Sequence, residues 1–284
     1  MSATDQGCLY LCATPIGNLE DITLRALRIL KEADYIAAED TRHTLKLLNH
    51  YEISKPLISY HEHNKKQRGP EIISLVQEGC RVAVVSDAGM PGISDPGADL
   101  VSLAYEAGIR VTIVPGPTAA LSALVLSSLP TQRFVFEGFL PRNKKARLER
   151  LRLLQRESRT IILYEAPHRL SSLLKDMLDV LGDRRIAIIR ELTKIYEEVL
   201  RMSLAESVNY YQDRTPRGEF ALVVEGADET LQQKSFSDLT VEEHLKEYLR
   251  AGLSKNEAVK QVARDRKIPK SQVYPFSIGL DLPD

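Results

Sequence analysis

Acidic side chains follow several stretches of this sequence that have the composition of buried strands. RVAVVS is followed by Asp87, YIAA by Glu39 and Asp40, and TIILY by Glu165. A carboxylate at the end of a buried strand can accept a proton, balance a positive charge or receive hydrogen bonds from ribose hydroxyls. We therefore expect acid–base or cation-binding chemistry where these strands end.

The residues that follow Asp87 form a loop of restricted shape. Between positions 87 and 97, DAGMPGISDPG, the chain has three glycines, two prolines and a second aspartate. Glycine permits close backbone approach, whereas proline fixes φ. The segments 13–21, ATPIGNLED, and 115–124, PGPTAALSAL, follow predicted strands in the same way. Three such loops at one edge of a sheet indicate a ligand site more strongly than any single loop.

The sequence lacks the common phosphate-binding motifs. It has no GxxxxGK[ST] motif, and no GxGxxG motif follows its first predicted strand. Both motifs bind phosphates through glycine-rich backbone. Their absence argues against ATPases and dinucleotide-dependent dehydrogenases, and it favours a ligand that carries positive charge or ribose hydroxyls.

The order of predicted strands and helices indicates an α/β protein with two α/β domains. Residues 1–130 alternate short apolar runs with helical patterns, which favours a parallel sheet with the ligand loops at the carboxyl ends of its strands. Residues 131–228 predict a second α/β domain with a more mixed sheet. We expect this domain to form the other side of a ligand cleft. After a polar linker, residues 236–284 predict a helix-turn-helix-like segment. The alternative for that segment is a packing appendage without nucleic-acid contacts.

A basic segment lies at the start of the second predicted domain. Residues 139–159, FLPRNKKARLERLRLLQRESR, include eight Lys and Arg against two Glu, whereas the net charge of the whole chain is −1. Such a local patch predicts contact with a phosphate backbone, and a solvated helix face with i,i+4 ion pairs is the alternative. The RNA-binding candidates in this segment are Arg142, Lys144, Lys145 and Arg147.

Other features exclude classes of function. No apolar run approaches the length of a membrane span, and the N-terminal residues lack a signal-peptide pattern, so we expect a cytoplasmic protein. His61 and His63 would share one face of an extended segment. However, no compact set of Cys, His, Asp and Glu has the spacing of a zinc or iron site, so no metal is predicted.

Nine motifs occur in the order found in one known family. They are TPIGNLEDIT, AAEDTRHT, HEHN, VSDAGMPGISDPG, PGPTA, EGFLPR, YEAPHR, RELTK and RGEF. Over residues 8–226 the chain resembles the 16S rRNA (cytidine-1402-2′-O)-methyltransferases, the ribosomal RNA small subunit methyltransferase I family of the tetrapyrrole-methylase-like superfamily. The C-terminal segment resembles the helix-turn-helix tail of many members.

This resemblance implies S-adenosylmethionine (SAM) in the cleft between two domains, a homodimer, and 16S rRNA or the small ribosomal subunit as substrate. The loops that would hold the cofactor contribute Pro15, Gly17, Asp87, Ala88, Gly89, Met90, Pro91, Pro115, Gly116, Pro117 and Ala119. Met90 departs from the pattern, because many relatives have threonine there and this chain has no side-chain hydroxyl at that position.

The predicted roles of the remaining polar residues follow from their positions. The candidates for the group that accepts the hydroxyl proton are Glu39, Asp40, His61, Glu165 and Lys194, and Lys194 would need a lowered pKa for this role. Arg42, Arg169 and Arg217 are candidates for orienting RNA phosphates or for fixing carboxylates, and His168 is a further RNA-binding candidate.

Two other functions remain open at this point. One is a methylase of a small tetrapyrrole, which needs neither the basic segment nor the helical tail. The other is a non-catalytic ribosome-assembly factor, which needs no series of polar motifs at strand ends.

Overall fold

The computed structural model describes residues 7–228, 239–250, 253–278 and 280 of the 284-residue chain. These residues form two five-stranded sheets followed by a group of helices. Most of the polar linker predicted before the C-terminal helices lies outside the described residues, as do the first and last residues of the predicted segment 236–284.

The first sheet is parallel throughout and has the strand order β3-β2-β4-β1-β5. Its strands are β1 (Cys8–Cys12), β2 (Tyr35–Ala38), β3 (Leu57–Ser59), β4 (Arg81–Val85) and β5 (Val111–Val114). The accompanying helices are α1 (Leu24–Glu32), α2 (Thr41–His50), α3 (Lys65–Gln77) and α4 (Ala98–Glu106). The expected parallel sheet is confirmed. The sequence did not reveal β3, because this edge strand has three residues that are only half-buried.

Burial on both faces explains the nearly continuous apolar runs of the first sheet. Leu11 and Val84 pack on one face with residues of α3 and α4, whereas Ala83 and Val85 pack on the other with residues of α1. Because the strands are parallel, their carboxyl ends all meet at one edge. The loops that follow β1, β2, β4 and β5 therefore lie side by side.

The second sheet is mixed, as predicted, with the order β6-β7-β10-β8-β9. Strands β6 and β7 are parallel, and the other three pairs are antiparallel. The strands are β6 (Phe134–Phe139), β7 (Thr160–Glu165), β8 (Arg185–Arg190), β9 (Glu198–Ser203) and β10 (Phe220–Val224). The helices are α6 (Lys144–Leu154), α7 (Pro167–Leu181) and α8 (Leu204–Tyr210), preceded in the chain by α5 (Ala119–Leu126). Strand β9 was not anticipated, because it is a half-exposed edge strand without a continuous apolar run.

Helix α5 precedes residue 130 but packs on the second sheet. Its residues Ala120, Ala123 and Leu124 share a buried cluster with Ile162 of β7 and Ala221 of β10. The loop between β5 and α5 is therefore the connection that passes from one sheet to the other. The domain boundaries expected from the sequence remain predictions, and this packing groups α5 with the second sheet.

The C-terminal helices have a buried core of their own. They are α9 (Val241–Arg250), α10 (Lys255–Asp265) and α11 (Lys270–Val273), and a 3₁₀ turn over Tyr274–Ser277 follows. Ser254 and Glu257 form a capping box at the start of α10. Fully buried His244 accepts a hydrogen bond at Nδ1 from Arg266 Nε at 3.2 Å, which joins α9 to the end of α10. No helix among the described residues is long and apolar enough to cross a membrane.

Candidate functional site

Three loops at the carboxyl edge of the first sheet are fastened together at Gly89. Thr14 and Gly89 form an isolated antiparallel β-bridge. Thr14 N donates to Gly89 O at 2.9 Å, and Gly89 N donates to Thr14 O at 3.1 Å. Gly89 has φ +80°, and a Cβ atom there would lie 3.3 Å from Ile16 Cγ2 and 3.6 Å from Pro117 O. A side chain at this position would press slightly on Ile16 and make an ordinary contact with Pro117. The positive φ is therefore the main reason for a glycine here.

The loop after β1 also contacts the second sheet. The backbone N–H of Asn18 donates to Thr193 Oγ1 at 3.1 Å. At Gly17 a Cβ atom would stand 2.5 Å from Lys194 Cγ and 2.8 Å from Thr193 Oγ1. Gly17 thus permits a direct backbone contact between the two α/β parts of the chain.

Two adjoining cavities lie where the two sheets meet. The cleft cavity has a volume of about 370 Å³, and its lining includes Ile16, Asp87, Ala88, Gly89, Met90, Asp95, Ala119, Phe139, Tyr164 and Glu165. The loop cavity has a volume of about 490 Å³, and its lining includes Pro15, Gly17, Thr44, Asp87, Ala88, Lys194 and Glu219. Asp87 and Ala88 line both cavities, and both sheets contribute to each.

The structure therefore brings together seven of the eleven residues predicted to bind a cofactor. The four others, Pro91, Pro115, Gly116 and Pro117, line neither cavity, and Gly116 and Pro117 lie close to neighbouring loops. A Cβ atom at Gly116, for example, would lie only 2.9 Å from Ala13 Cβ, so the loop after β5 packs tightly on the end of β1.

Three carboxylates interact electrostatically at this edge. Asp87 Oδ1 accepts a hydrogen bond from Asp40 N at 3.1 Å, which joins the ends of β4 and β2. Burial, followed by the charge of Asp87, raises the pKa of Glu39. Burial, together with the charges of Glu39 and Asp87, raises the pKa of Asp95 to about 7. Asp95 is therefore poised to exchange a proton near neutral pH.

Asp40 has a structural role in this arrangement. It is the N-cap of α2 and accepts a hydrogen bond from Arg42 N at 2.8 Å, while its Oδ2 lies 2.8 Å from Arg42 Nη2. These hydrogen bonds hold the pKa of the Asp40 carboxyl far below its usual range. Asp40 therefore caps a helix, and its low pKa makes it a poor proton acceptor.

Glu165 is fully buried at the end of β7. Its Oε1 accepts a hydrogen bond from Ala166 N at 2.8 Å, and its Oε2 lies 3.2 Å from Arg169 Nη2. Burial raises the pKa of Glu165 despite these partners. Arg169 also donates to the carbonyl of Leu140 at 2.8 Å. Arg169 thus pairs with a carboxylate, one of the two roles expected for it, and holds the loop after β6.

Lys194 does not have the lowered pKa that a proton acceptor would need. Its Nζ lies 3.0 Å from Glu219 Oε2 and 3.1 Å from Glu191 Oε1. Burial alone would lower the pKa of Lys194, but these two ion pairs outweigh burial and raise it. Lys194 is therefore a cation at neutral pH that ties the loop after β8 to β10.

Arg147 was expected to bind RNA, but its side chain is buried. Its side chain is 8% exposed, and its Nε and Nη2 lie 2.7 and 2.6 Å from Asp176 Oδ2. The pair joins α6 to α7 in the interior, because the helical spacing turns this position toward the core. Arg147 is therefore a structural residue and is not available to RNA, in contrast to the expectation from the sequence.

Ion pairs neutralise much of the remaining basic segment. Arg150 pairs with Glu137, Arg156 with Glu247 and Arg159 with Glu157, at 2.7 to 2.8 Å. Exposed cations without an acidic partner among the described residues are Arg142, Lys144, Lys145 and Arg152. We call the first three the rim cations, because they follow Phe139 of the cleft lining by three to six residues. His168 is also exposed.

The two histidines of the loop after β3 lie close to each other. The ring centroids of His61 and His63 lie 6.0 Å apart, and His61 is hydrogen-bonded to Asn64 through its backbone N–H at 2.8 Å. Within the described parts of the chain, no group of three or more His, Cys, Asp and Glu side chains is placed to hold a metal ion.

Sequence reasoning missed Asp95 as a functional candidate, and also the apolar walls formed by Phe139 and Tyr164. Asp95 is the second aspartate of the loop after β4, and its neighbour Ser94 adopts φ +65°. A non-glycine residue in this conformation is uncommon and often marks a constrained functional loop. The sequence signal was the density of Gly and Pro around Asp95, but the spacing alone did not show that its carboxyl turns into the cleft.

Comparison with known proteins identifies a protein family and close relatives within it. Residues 8–207 match the family Tetrapyrrole (Corrin/Porphyrin) Methylases. Two similar proteins, both named Ribosomal RNA small subunit methyltransferase I, come from Halalkalibacterium halodurans and Bacillus subtilis. The first is 52% identical, and the aligned part covers 95% of this chain and 94% of that protein. The second is 48% identical, with coverage of 95% and 94%.

Solved structures show the same fold. The uroporphyrin-III-C-methyltransferase from Thermus thermophilus has a TM-score of 0.54 and 23% identity, and the match covers 78% of this chain and 94% of that one. The methyltransferase CobJ has a TM-score of 0.60 and 20% identity, with coverage of 78% and 95%. At this level of identity the likeness concerns the fold alone.

Proposed function

Because the chain belongs to the tetrapyrrole methylase family, and within it to the ribosomal RNA small subunit methyltransferase I family, we propose that it methylates ribosomal RNA of the small subunit. The finer proposal is transfer to the ribose 2′-oxygen of cytidine 1402 in 16S rRNA. That finer proposal rests on the resemblance. The observation in this structure that supports an RNA substrate is the position of the exposed rim cations, which follow Phe139 of the cleft lining in the chain. An acidic cleft next to an exposed basic surface suits methyl transfer to a polyanion.

Every methyltransferase needs a methyl donor, and we propose SAM for this enzyme. The described residues that line the cleft cavity include four carboxylates and no Lys or Arg. Glu165 and Glu219 are paired with Arg169 and Lys194, whereas Asp87 and Asp95 have no cationic partner among the described residues. This set of side chains fits a cationic ligand without phosphates better than it fits a nucleoside triphosphate. The apolar wall of Phe139 and Tyr164 suits the uncharged parts of the same ligand. When bound, SAM supplies an electrophilic methyl group on a positively charged sulfur.

The protein must then position the acceptor ribose and remove its hydroxyl proton. Positioning alone can account for a large part of a rate enhancement, with effective molarities up to about 10⁸ M. We propose that the Asp95 carboxylate accepts this hydroxyl proton, because Asp95 lines the cleft cavity and has a pKa of about 7. A general base is most effective when its pKa lies near the working pH. Glu165 is the second candidate, since it lines the same cavity.

The direct test is transfer of a labelled methyl group from SAM. We expect label on small ribosomal subunits or on naked 16S rRNA, and mapping of the product by nuclease digestion and mass spectrometry should find it on a ribose 2′-oxygen. Comparison of the two substrates will show whether the assembled particle is required.

Other outcomes would assign a different function. Label on a base would contradict ribose transfer, and label only on a tetrapyrrole would favour the small-substrate alternative. Absence of transfer to any of these substrates, despite SAM binding, would support a non-catalytic assembly factor.

The rim cations provide a second test. Replacing Lys144 and Lys145 with glutamate should lower RNA affinity on the order of tenfold and leave SAM affinity unchanged. Each phosphate contact on a single strand contributes about 0.7 to the slope of log K against log salt concentration, so the slope should fall by about 1.4. Fluorescence anisotropy with labelled RNA over a salt series measures both quantities.

The matched control replaces Lys31 and Lys66 with glutamate, since both are exposed lysines of the first α/β part. It has the same change in net charge. If both double variants have the same salt slope, the solvated-helix interpretation of this segment is correct and the rim does not contact RNA.

Two further proposals rest on the resemblance. A small-subunit substrate would place the reaction in the cytoplasm, and members of the superfamily are usually homodimers. Sedimentation of the purified chain over a range of concentrations tests the second point.

A further inference from the structure

The three C-terminal helices present a basic concavity that the methyl-transfer site does not use. It has a volume of about 800 Å³ and lies between α10 and the start of α11. Its lining includes Glu257, Lys260, Gln261, Arg264 and Lys270. The three cations are exposed, and none of them forms an ion pair with another described residue. Glu257, one turn before Lys260, accepts hydrogen bonds from the backbone N–H and hydroxyl of Ser254. These hydrogen bonds and, to a smaller extent, the charge of Lys260 lower the pKa of Glu257.

These cations are not needed for packing of the helices. The opposite side of α10, with Ala258, Val259, Val262 and Ala263, fills the core of the C-terminal helices. Lys260 and Arg264 are one turn apart, so the helical period directs them to the same outward face. Packing of the C-terminal helices therefore does not explain why these cations lie on the outward face of α10.

Two exposed aromatic side chains, Tyr274 and Phe276, follow Lys270, the last lining residue of the concavity, in the chain. Tyr274 follows Lys270 by four residues in continuous helical backbone and is 55% exposed. Residues four apart on a helix are neighbours on its surface. Phe276 is 48% exposed in the 3₁₀ turn that follows. A positively charged groove with adjacent aromatic side chains is the usual combination in proteins that bind single-stranded nucleic acids.

The C-terminal helices are also docked beside the basic helix α6. Arg156, just beyond the end of α6, pairs with Glu247 of α9 at 2.8 Å and lies 5.3 Å from the ring centroid of Tyr248. Helix α6 has 11 residues, which corresponds to about 16 Å at 1.5 Å per residue. The rim cations at its beginning and the C-terminal helices at its end therefore flank a single helix.

We propose that the C-terminal concavity is a second RNA site, which binds the sugar-phosphate backbone of a single-stranded segment away from the methylated nucleotide. This inference rests on the proposed function, because RNA is the partner that both surfaces would share. The phosphates contact Lys260, Arg264 and Lys270, and Tyr274 stacks on an adjacent base. The site contributes affinity for the substrate and takes no part in the chemical step.

The test replaces Lys260, Arg264 and Lys270 with glutamine in the full-length protein. We expect affinity for a labelled single-stranded RNA to fall on the order of tenfold and the salt slope to fall by about 2, since three phosphate contacts are lost. The KM for RNA should rise, whereas kcat at saturating RNA and the affinity for SAM should stay unchanged. Circular dichroism verifies that the C-terminal helices remain folded.

The control variant replaces Lys31, Lys66 and Arg110 with glutamine, which removes the same charge from exposed positions of the first α/β part. Equal RNA affinity and salt slope in the two triple variants would overturn the proposal. Loss of binding to small ribosomal subunits with intact binding to naked RNA would also overturn it, because the concavity would then contact a ribosomal protein.

An aromatic variant separates charge from stacking. Tyr274→Ala should weaken RNA binding without a change in the salt slope, and Tyr274→Phe should restore the affinity. Affinity unaffected by Tyr274→Ala would contradict the stacking contact. These binding experiments do not depend on catalysis, so a wild-type protein that binds RNA but transfers no methyl group would refute the proposed function and leave the RNA site intact.

Discussion

Replacing Asp87 with asparagine should weaken SAM binding by about 10- to 150-fold. Asp87 lines both the cleft cavity and the loop cavity, and it stands at the end of the central strand β4. A hydrogen bond to a charged group contributes about 1.5 to 3 kcal/mol, and each 1.4 kcal/mol corresponds to a tenfold change in affinity. The loss should appear in Kd as measured by isothermal titration calorimetry.

The asparagine variant should keep the local structure. An amide oxygen can still accept the hydrogen bond that Asp40 N donates to Asp87 Oδ1 at 3.1 Å. The variant therefore removes the charge of the side chain but not its contact with β2. It also removes one of the charges that raise the pKa of Asp95, so that pKa should fall.

Asp34→Asn provides the control, because Asp34 accepts a hydrogen bond from Arg81 N at the opposite edge of the same sheet. This variant should bind SAM like the wild type. If Asp87→Asn has unchanged calorimetric affinity, Asp87 does not belong to the cofactor site, and the carboxylate at the end of β4 has a purely structural role.

Asp95→Asn should lower kcat by about 10² to 10⁴, the range that general bases contribute. With Asp95 as the proposed base, the deprotonated fraction of Asp95 should limit the wild-type rate below its pKa of about 7. Therefore kcat/KM should rise with pH up to this value and then level off. The variant should have low activity and no such rise. Initial rates of methyl transfer from pH 5.5 to 8.5 (roughly one to two units on either side of this pKa) test both expectations.

The same substitution should stabilise the fold at neutral pH. The pKa of Asp95 is raised in the folded state, so the folded protein binds more protons than the unfolded chain between the unfolded value of 3.8 and about 7. Wild-type stability should therefore fall as pH rises through this window, and the loss should be complete above it. The gain for Asp95→Asn should be absent at low pH and reach about 1 to 2 kcal/mol above pH 7, after allowance for solvent screening.

These two measurements separate catalysis from structure. An inactive variant that is also less stable at all pH values would indicate damage to the loop after β4. Normal kcat and an unchanged pH profile would instead transfer the role of proton acceptor to Glu165. Glu165→Gln should then abolish the pH dependence.

Much of the fold could be read from local patterns. Buried parallel strands such as β1 and β4 have continuous apolar sequences because both of their faces are covered, and Gly and Pro mark the loops that follow them. Strands β3 and β9 were not predicted, because edge strands are half-exposed and their sequences are not distinctive. The packing of α5 on the second sheet could not be predicted either, since the small residues of α5 fit against either sheet.

The candidate site shows the same division. The sequence by itself determined the family, the α/β architecture, the acidic loops at one sheet edge and Asp87 as their central residue, because all of these follow from residue type and order. Only the tertiary structure decided which charged side chains are buried, paired or exposed to the cleft. It buried Arg147 against Asp176, paired Lys194 with two glutamates, committed Asp40 to a helix cap and turned Asp95 into the cleft. The reason is physical: the charge and pKa of a side chain depend on burial and on neighbours within a few ångströms, and those neighbours are distant in the sequence.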